Sequence, residues 1–297
     1  MSKAFKPLLA DPVEFDKLDF GNLWLSPKLD GIRCIIRHGV PHSRKLLTFP
    51  NKLLNDMFGN RPELEHFDGE FIQGDAFDDP YSRTYSACMK VDKLEPLTLH
   101  VFDHIENPLD EYFRRYDKLG VNFPNVVKVP SHPVTNLDDI LELEAKYLDL
   151  GYEGVMLRAF QGPRSFYKYG RSTAIEGTLM KLKRTTHFEA RIVGIEEEMH
   201  NGNEATKDEL GRTKRSSHAA GKTGNDTLGK FLCEDLVTGI DFKCGIFKGK
   251  DAKWKKKVWN NPDMVLNQIG RFEKFGPGEK DRPRHPRFND LRSPIDM

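Results

Sequence analysis

Short stretches in which apolar and polar residues alternate, or apolar residues run unbroken, recur through the first two thirds of the chain. Leu23–Ser26, Ile32–Arg37, Leu97–Ile105, Val155–Ala159 and Leu179–Leu182 are punctuated by Gly, Pro and Asp, which predicts sheet strands. Helical spacing is rarer. Leu137, Ile140, Leu141 and Leu148 form one stripe, Asn136 precedes it as a cap, Asp138 and Asp139 fill the first turn, and Gly151 follows as a stop. This predicts a packing helix over 137–150. The more charged segment Leu109–Leu119 is a second helix candidate. The first part therefore reads as mixed α+β.

After Lys183 the texture changes. Strands are expected at His187–Glu196, Gly229–Asp235 and Gly239–Lys243, and a small β-barrel would accommodate them. Between them, Met199–Lys230 is polar and Gly-rich and carries Lys207, Arg212, Lys214, Arg215 and Lys222. A loop that long in a compact domain is usually functional or disordered. With 297 residues and 38% hydrophobic content, two domains are expected, 1–187 and 188–297.

No apolar run is long enough to span a bilayer, and Met1–Glu14 mixes Lys, Asp and Pro instead of building a signal-peptide core. A cytoplasmic protein with no membrane partner is the expectation. Cys34, Cys88, Cys233 and Cys244 are scattered without a C-x-x-C pair, which suits a reducing compartment. The net charge is +1, but binding to a polyanion depends on where cations cluster. Divided near residue 188, the chain has 25 Lys+Arg against 27 Asp+Glu before the cut and 21 against 18 after it. The basic excess lies in the second part. Its densest clusters are Lys248, Lys250, Lys253, Lys255, Lys256 and Lys257 around Trp254, and Lys280, Arg282, Arg284 and Arg287. The first reads equally as a phosphate-contacting surface or as a solvated helix face with Trp254 and Val258 buried.

Five short elements carry candidate chemistry. Lys28-Leu29-Asp30-Gly31-Ile32-Arg33 lies between two expected strands, and Pro27 and Gly31 bracket a turn that would lift the lysine out of the sheet. A lysine attacks phosphorus only as the neutral amine, so nearby cations or burial must lower its pKa. Taken alone, the motif is equally a solvated hairpin turn. Asp68-Gly69-Glu70-Phe71 offers a carboxylate suited to ribose hydroxyls, or an ordinary turn. In Leu97–Asp103, Phe102 points opposite Val101, free to stack on a base or to fill a core. Glu153-Gly154 opens a strand with an acid that could hold Mg²⁺ through phosphate and water oxygens, though a lone glutamate there is commonly a surface charge. Lys181 and Lys183 project from one strand face, away from Met180 and Leu182.

The order and spacing of these five elements resemble the covalent nucleotidyltransferases: DNA ligases, RNA ligases and mRNA capping enzymes. Within that superfamily the chain resembles the small ATP-dependent DNA ligases of viruses and phages, of the minimal Chlorella virus type. The likeness runs nearly end to end, through Lys6-Pro7-Leu8-Leu9-Ala10, Lys168-Tyr169-Gly170-Arg171-Ser172-Thr173, Thr213-Lys214-Arg215-Ser216-Ser217-His218 and Asp281-Arg282-Pro283-Arg284-His285-Pro286.

The resemblance implies a nucleotidyltransferase domain of ATP-grasp-like antiparallel sheets with helices, followed by an OB-fold β-barrel. Met199–Lys230 would match a hairpin latch that closes around DNA. It implies a monomer that seals 3′-hydroxyl/5′-phosphate nicks in duplex DNA, with ATP and Mg²⁺, or Mn²⁺ in its place, during replication, repair and recombination. Lys28 is then the adenylylated nucleophile, and Asp30 and Arg33 organise the nick termini. Glu70 is the ribose ligand, Phe102 the adenine-stacking ring and Glu153 the metal-binding acid. Lys181 and Lys183 lie over the AMP phosphate. Arg44 and Arg171 contact nick phosphates, Lys214 and Arg215 touch DNA from the latch, and Arg284 and Arg292 orient the pyrophosphate leaving group. The sequence departs from the viral pattern after Ser43-Arg44, over Gly162–Phe166 and in the tail after Arg292. The alternatives are an RNA ligase or capping guanylyltransferase using the same lysine, and a non-catalytic nucleic-acid clamp. An NAD-dependent ligase is disfavoured, since the extra N-terminal domain and the cysteine-rich zinc module are missing.

Overall fold

The computed structural model describes residues 4–76, 80–93, 95–120, 123–275 and 282–292. The chain divides into two compact units, the first running to Lys183 and also including Glu209–Gly211, the second taking the rest of the chain from Arg184.

Among the described residues the first unit holds ten strands: β1 (Asp11–Pro12), β2 (Leu23–Pro27), β3 (Ile32–Arg37), β4 (Val40–His42), β5 (Phe67–Ile72), β6 (Thr98–His104), β7 (Val126–Lys128), β8 (His132–Val134), β9 (Val155–Ala159) and β10 (Leu179–Leu182). They form two five-stranded sheets, ordered β1-β10-β9-β2-β8 and β4-β3-β5-β6-β7. Neither sheet is purely antiparallel, because β1 pairs parallel with β10 and β6 parallel with β7. The expectation of antiparallel sheets is corrected to that extent.

Among the described residues α1 (Lys52–Phe58) and α2 (Tyr81–Met89) cover the outer face of one sheet and α4 (Leu137–Asp149) that of the other, while α3 (Tyr112–Asp117) contacts both β2 and β6. α1 and α2 lie outside the expected helices, being too short for a clear apolar period. α4 begins where expected, with the Asn136 side chain accepting from the Asp139 amide at 2.9 Å. Its buried stripe is different: Ile140, Glu144 and Tyr147 face inward while Leu137 and Leu141 are exposed. Tyr147 is long enough to reach β8, where its hydroxyl meets the His132 ring at 3.1 Å, and that contact sets the helix rotation.

Each sheet has an outer core, Leu23, Leu25, Val155 and Leu157 under α4, and Cys34, Phe71, Leu99 and Val101 under α1 and α2. Leu8, Ile35, Ile105, Tyr167 and Leu179 fill part of the space between the sheets. β3 is covered on both faces, which explains its unbroken Cys34-Ile35-Ile36 run.

The second unit is built on β11 (Thr186–Asn201), β14 (Lys222–Asp235), β15 (Asp241–Cys244), β16 (Ile246–Phe247), β17 (Ile269–Lys274) and β18 (Arg287–Leu291), in the order β15-β14-β11-β17-β18-β16. Among the described residues no ladder joins the two edge strands β15 and β16; Gly245 alone separates them, and they follow one another along the chain, the first paired with β14 and the second parallel with β18. The strands β11 and β14 are far longer than expected and run antiparallel through the region taken for a loop. The rest of that region is a small hairpin, β12 (Ala205–Lys207) with β13 (Thr213–Arg215), closed at its base by Gly202 N–H donating to Gly221 O at 2.8 Å.

The helix α5 (Ala252–Asn260) buries Val258 and packs Trp254 against Phe231, Phe247 and Phe288. Its neighbouring lysines are partly neutralised. Lys255 pairs with Glu198, Lys248 with Glu273 at 3.1 Å and Lys250 with Asp290 at 3.2 Å.

All four cysteines are free and buried. Burial pushes the thiols up, to about 12 at Cys88 and about 11 at Cys244, with Cys34 and Cys233 also raised. No helix among the described residues is long and apolar enough to cross a membrane.

Candidate active site

A cavity of about 520 Å³ opens between the inner faces of the two sheets of the first unit. Strand register supplies its walls. Ser26, Met156 and Lys181 form one cross-strand row on β2, β9 and β10, and Arg33 stands opposite Glu70 on β3 and β5. Residues in register on neighbouring strands project to the same face, so each row arrives as a unit.

Lys28 is delivered by the four residues Lys28–Gly31, which carry the chain from β2 in one sheet to β3 in the other. Its backbone N–H donates to Gly154 O at 2.8 Å, tying this crossing to the start of β9. Both glycines are required by space. A Cβ on Gly31 would lie 2.3 Å from Phe71 O, and one on Gly154, at φ +146°, would lie 2.3 Å from Leu182 O.

The Lys28 ammonium donates to Glu153 Oε2, and Lys183 Nζ donates to Glu153 Oε1 at 2.9 Å. Burial opposes the Glu153 charge, but Lys28 and Lys183 outweigh it and hold the carboxyl below its ordinary value. Lys181 is also shifted down, which here disfavours the charged form. Burial lowers its pKa, and Lys183, Arg171 and Lys28 add like-charge repulsion. Glu70 accepts from the Gly31 N–H at 3.2 Å and is raised by burial against the pull of Lys28 and Arg33, with Asp30 adding to the rise.

Phe102 lines the cavity by strand alternation, opposite Leu99 and Val101 of the outer core. The β5–β6 register slips between Asp68 and Gly69, leaving Phe102 without a direct partner, and this bulge turns Asp103 toward the same side as Phe102. Arg33 sits over the Phe102 ring, its guanidinium carbon 4.8 Å from the centroid. Fully buried Asp68 holds that arginine through two bonds, 2.5 Å to Nε and 2.6 Å to Nη2, and accepts a third from the Tyr167 hydroxyl at 2.7 Å. Asp103 takes bonds from Arg115 Nε at 2.8 Å and Arg158 Nη1 at 2.6 Å, and Arg158 lies 4.1 Å from the Tyr112 ring centre. Arg158 and Tyr112 both line the cavity.

Of the residues singled out by sequence, Lys28, Arg33, Arg44, Glu70, Phe102, Arg171 and Lys181 line this cavity. Glu153 and Lys183 join it through Lys28, and Asp30 is on the same turn as the lysine. Arg171 donates to Ala10 O at 2.5 Å. Lys214, Arg215, Arg284 and Arg292 belong to the second unit: the first two lie exposed on β13, and Arg292 pairs with Glu189 at 3.3 Å. Lys280, from the basic tail cluster, lies outside the described residues. The reading by sequence passed over Asp68, Asp103, Tyr112, Arg158 and Tyr167. Asp68 and Asp103 stand inside the candidate motifs, but Arg33 and Arg158, which they hold, lie 35 and 55 residues away.

A half-buried lysine in contact with an acid, beside a cavity that offers a second acid, an aromatic ring and further cations, defines the class: an α+β nucleotidyltransferase fold with a lysine at its centre. Comparison with solved structures narrows it to the fold of the minimal ATP-dependent DNA ligases. The crystal structure of Chlorella virus DNA ligase-adenylate matches at 26% identity and a TM-score of 0.53, covering 97% of this chain and 99% of that one. A Lig E DNA ligase structure matches at 20% identity and a TM-score of 0.72, covering 98% of this chain and all of that one. No protein-family model and no curated protein matches the chain.

Proposed function

We propose that this protein is an ATP-dependent DNA ligase that seals 3′-hydroxyl/5′-phosphate nicks in duplex DNA. The observation that carries the reading is the placement of Lys28, held by Glu153 within a cavity shared by Glu70, Phe102, Arg33 and Lys181. In the first step the Lys28 amine attacks the α-phosphorus of ATP, forming a P–N bond as pyrophosphate leaves. The nick 5′-phosphate then takes the AMP from Lys28. Last, the 3′-hydroxyl attacks that 5′-phosphorus and AMP departs with the P–O electron pair. Such transfers depend on positioning and charge neutralisation. Glu70 would accept from the ribose hydroxyls and Phe102 would stack on adenine. Lys181 and Lys183 would neutralise the phosphate, with Arg33 and Asp30 orienting the nick ends.

Among the described residues no group of three His, Cys, Asp or Glu side chains forms a metal cage. Glu153 alone fits the pattern of Mg²⁺ bound by one carboxylate with substrate phosphates and water. A divalent cation held there, Mg²⁺ or Mn²⁺, would neutralise charge on the phosphates. The six-stranded unit is read as an OB-type domain, its hairpin β12–β13 as a DNA-contacting latch through Lys214 and Arg215, and Arg284 and Arg292 as pyrophosphate-orienting groups. The chain is read as a monomer acting in the cytoplasm.

Incubation with α-labelled ATP tests the central claim. Wild type should acquire an acid-labile AMP adduct. Lys28→Ala should acquire none, and neither should Lys28→Arg, whose guanidinium keeps the charge but cannot become a neutral nucleophile. An adduct on either variant sinks the assignment. Labelling by GTP instead would favour a capping guanylyltransferase, and joining confined to RNA ends an RNA ligase.

A further inference from the structure

We propose that His100, on the strand next to Glu70, is a positioning residue that holds the Glu70 carboxylate in place for the ribose hydroxyls of the nucleotide; the proposal rests on the reading of Glu70 given above. Strand register supplies the geometry. Arg33, Glu70 and His100 form one row across β3, β5 and β6, and Val127 of β7 ends it. Directly opposed residues of an antiparallel pair bring their Cβ atoms to about 4.5–5.5 Å, so the imidazole is the side neighbour of the carboxylate. Along β6, Thr98 and Phe102 share its face, while Leu99 and Val101 point into the outer core.

The other contacts of Glu70 come from the β3 side. Its Oε2 accepts from the Gly31 N–H at 3.2 Å, on the turn that carries Lys28. Arg33, its second neighbour in the row, gives its hydrogen bonds to Asp68 at 2.5 Å and 2.6 Å and to Leu8 O at 3.4 Å. A glutamate has several rotatable bonds, and ordering it only when the nucleotide arrives costs affinity. Packing between Arg33 and His100 orders the side chain beforehand, with His100 as the support on the β6 side.

The residue type suits the task. Burial lowers the imidazole to about 4, so it stands neutral beside the acid at pH 7. A lysine or arginine at this position would pair with the carboxylate and compete with the ribose for it, and an alanine would leave the carboxylate room to swing. A neutral imidazole fills the space and offers a single N–H. Glu70 lines the cavity, and His100 acts on the nucleotide through it.

The test uses the full-length protein and follows self-adenylylation with ATP and with 2′,3′-dideoxy-ATP, which lacks both ribose hydroxyls. The quantity read is the ratio of the two kcat/KM values. Wild type should favour ATP, and Glu70→Ala should lose that preference. His100→Ala and His100→Lys should each lower the ratio about tenfold, while His100→Gln, neutral and of similar size, should stay within about threefold of wild type. A residue that only supports the fold would slow both nucleotides alike and leave the ratio unchanged. If His100→Ala does not fold, His100→Gln and His100→Lys carry the comparison. The proposal is overturned if His100→Ala or His100→Lys keeps the wild-type ratio, or if His100→Gln loses it as fully as they do. Absence of any preference for ATP in wild type would instead overturn the ribose role of Glu70, and absence of a lysyl-AMP in wild type the ligase reading itself.

Discussion

Asp103 is a single carboxylate serving two buried arginines, and its neighbourhood shows how the pocket wall is kept in place. Burial opposes its charge, but Arg115 and Arg158 hold its pKa below the ordinary value. A carboxyl depressed in the folded state stabilises the fold above its unfolded pKa, and that contribution is lost as the pH falls through the folded value. Asp103→Asn leaves Arg115 buried without its counter-charge, so it should cost about 3–5 kcal/mol at pH 7. In urea unfolding the gap between wild type and variant should narrow as the pH falls below about 4. A gap of equal size at every pH would mean the carboxylate charge is not what matters.

At this scale the sequence was legible only locally. Lys28, Glu70, Phe102 and Glu153 could be picked out because each sits in a short run with its own turn or strand signal. The network of Asp68, Asp103, Tyr112, Arg158 and Tyr167 could not, because its bonds join residues as far as 99 positions apart and a single sequence contains no record of that proximity.

Among the elements, the five strands expected in the first unit were read nearly to their ends, since alternation and punctuation act within five or six residues, but β1, β4, β5, β7 and β8 were not read as strands. Helices fared worse. α1 and α2 are seven and nine residues long, too short for a 3.6-residue period to declare itself. The hairpin β12–β13 was hidden for another reason: its residues are exposed on both faces, so no buried face imposes alternation. Its base offers a clean excision, because Gly202 and Gly221 are already hydrogen-bonded. Removal of 203–220, with Gly202 joined to Gly221, should leave self-adenylylation within about twofold. Nick binding should weaken, with a shallower salt dependence, as Lys207, Arg212, Lys214 and Arg215 are lost. Unchanged binding in a filter or gel assay would remove the hairpin from the DNA-contacting surface.

Over the whole molecule, a net charge of +1 says little, because internal pairing decides which cations face outward. The dense lysine cluster around Trp254 is partly absorbed by Glu198, Glu273 and Asp290, while the sparse pair Arg44 and Lys45 keeps its charge at a cavity mouth. Cation density along a sequence therefore does not show which cations stay unpaired. How the edges of the second unit's sheet are joined was likewise illegible, since it turns on the single residue between β15 and β16.

The four buried thiols have a practical consequence. Maleimides and disulfide reagents react with the thiolate, and burial suppresses both its formation and its access. A thiol titration should find no fast-reacting group in the native protein and four after denaturation. The surface is thus a blank ground for site-specific dyes. A Val237→Cys variant, at a position 91% exposed in the turn after β14, should take up one label without removal of any natural cysteine. A fluorophore placed there would report on the second unit while the nick is being sealed.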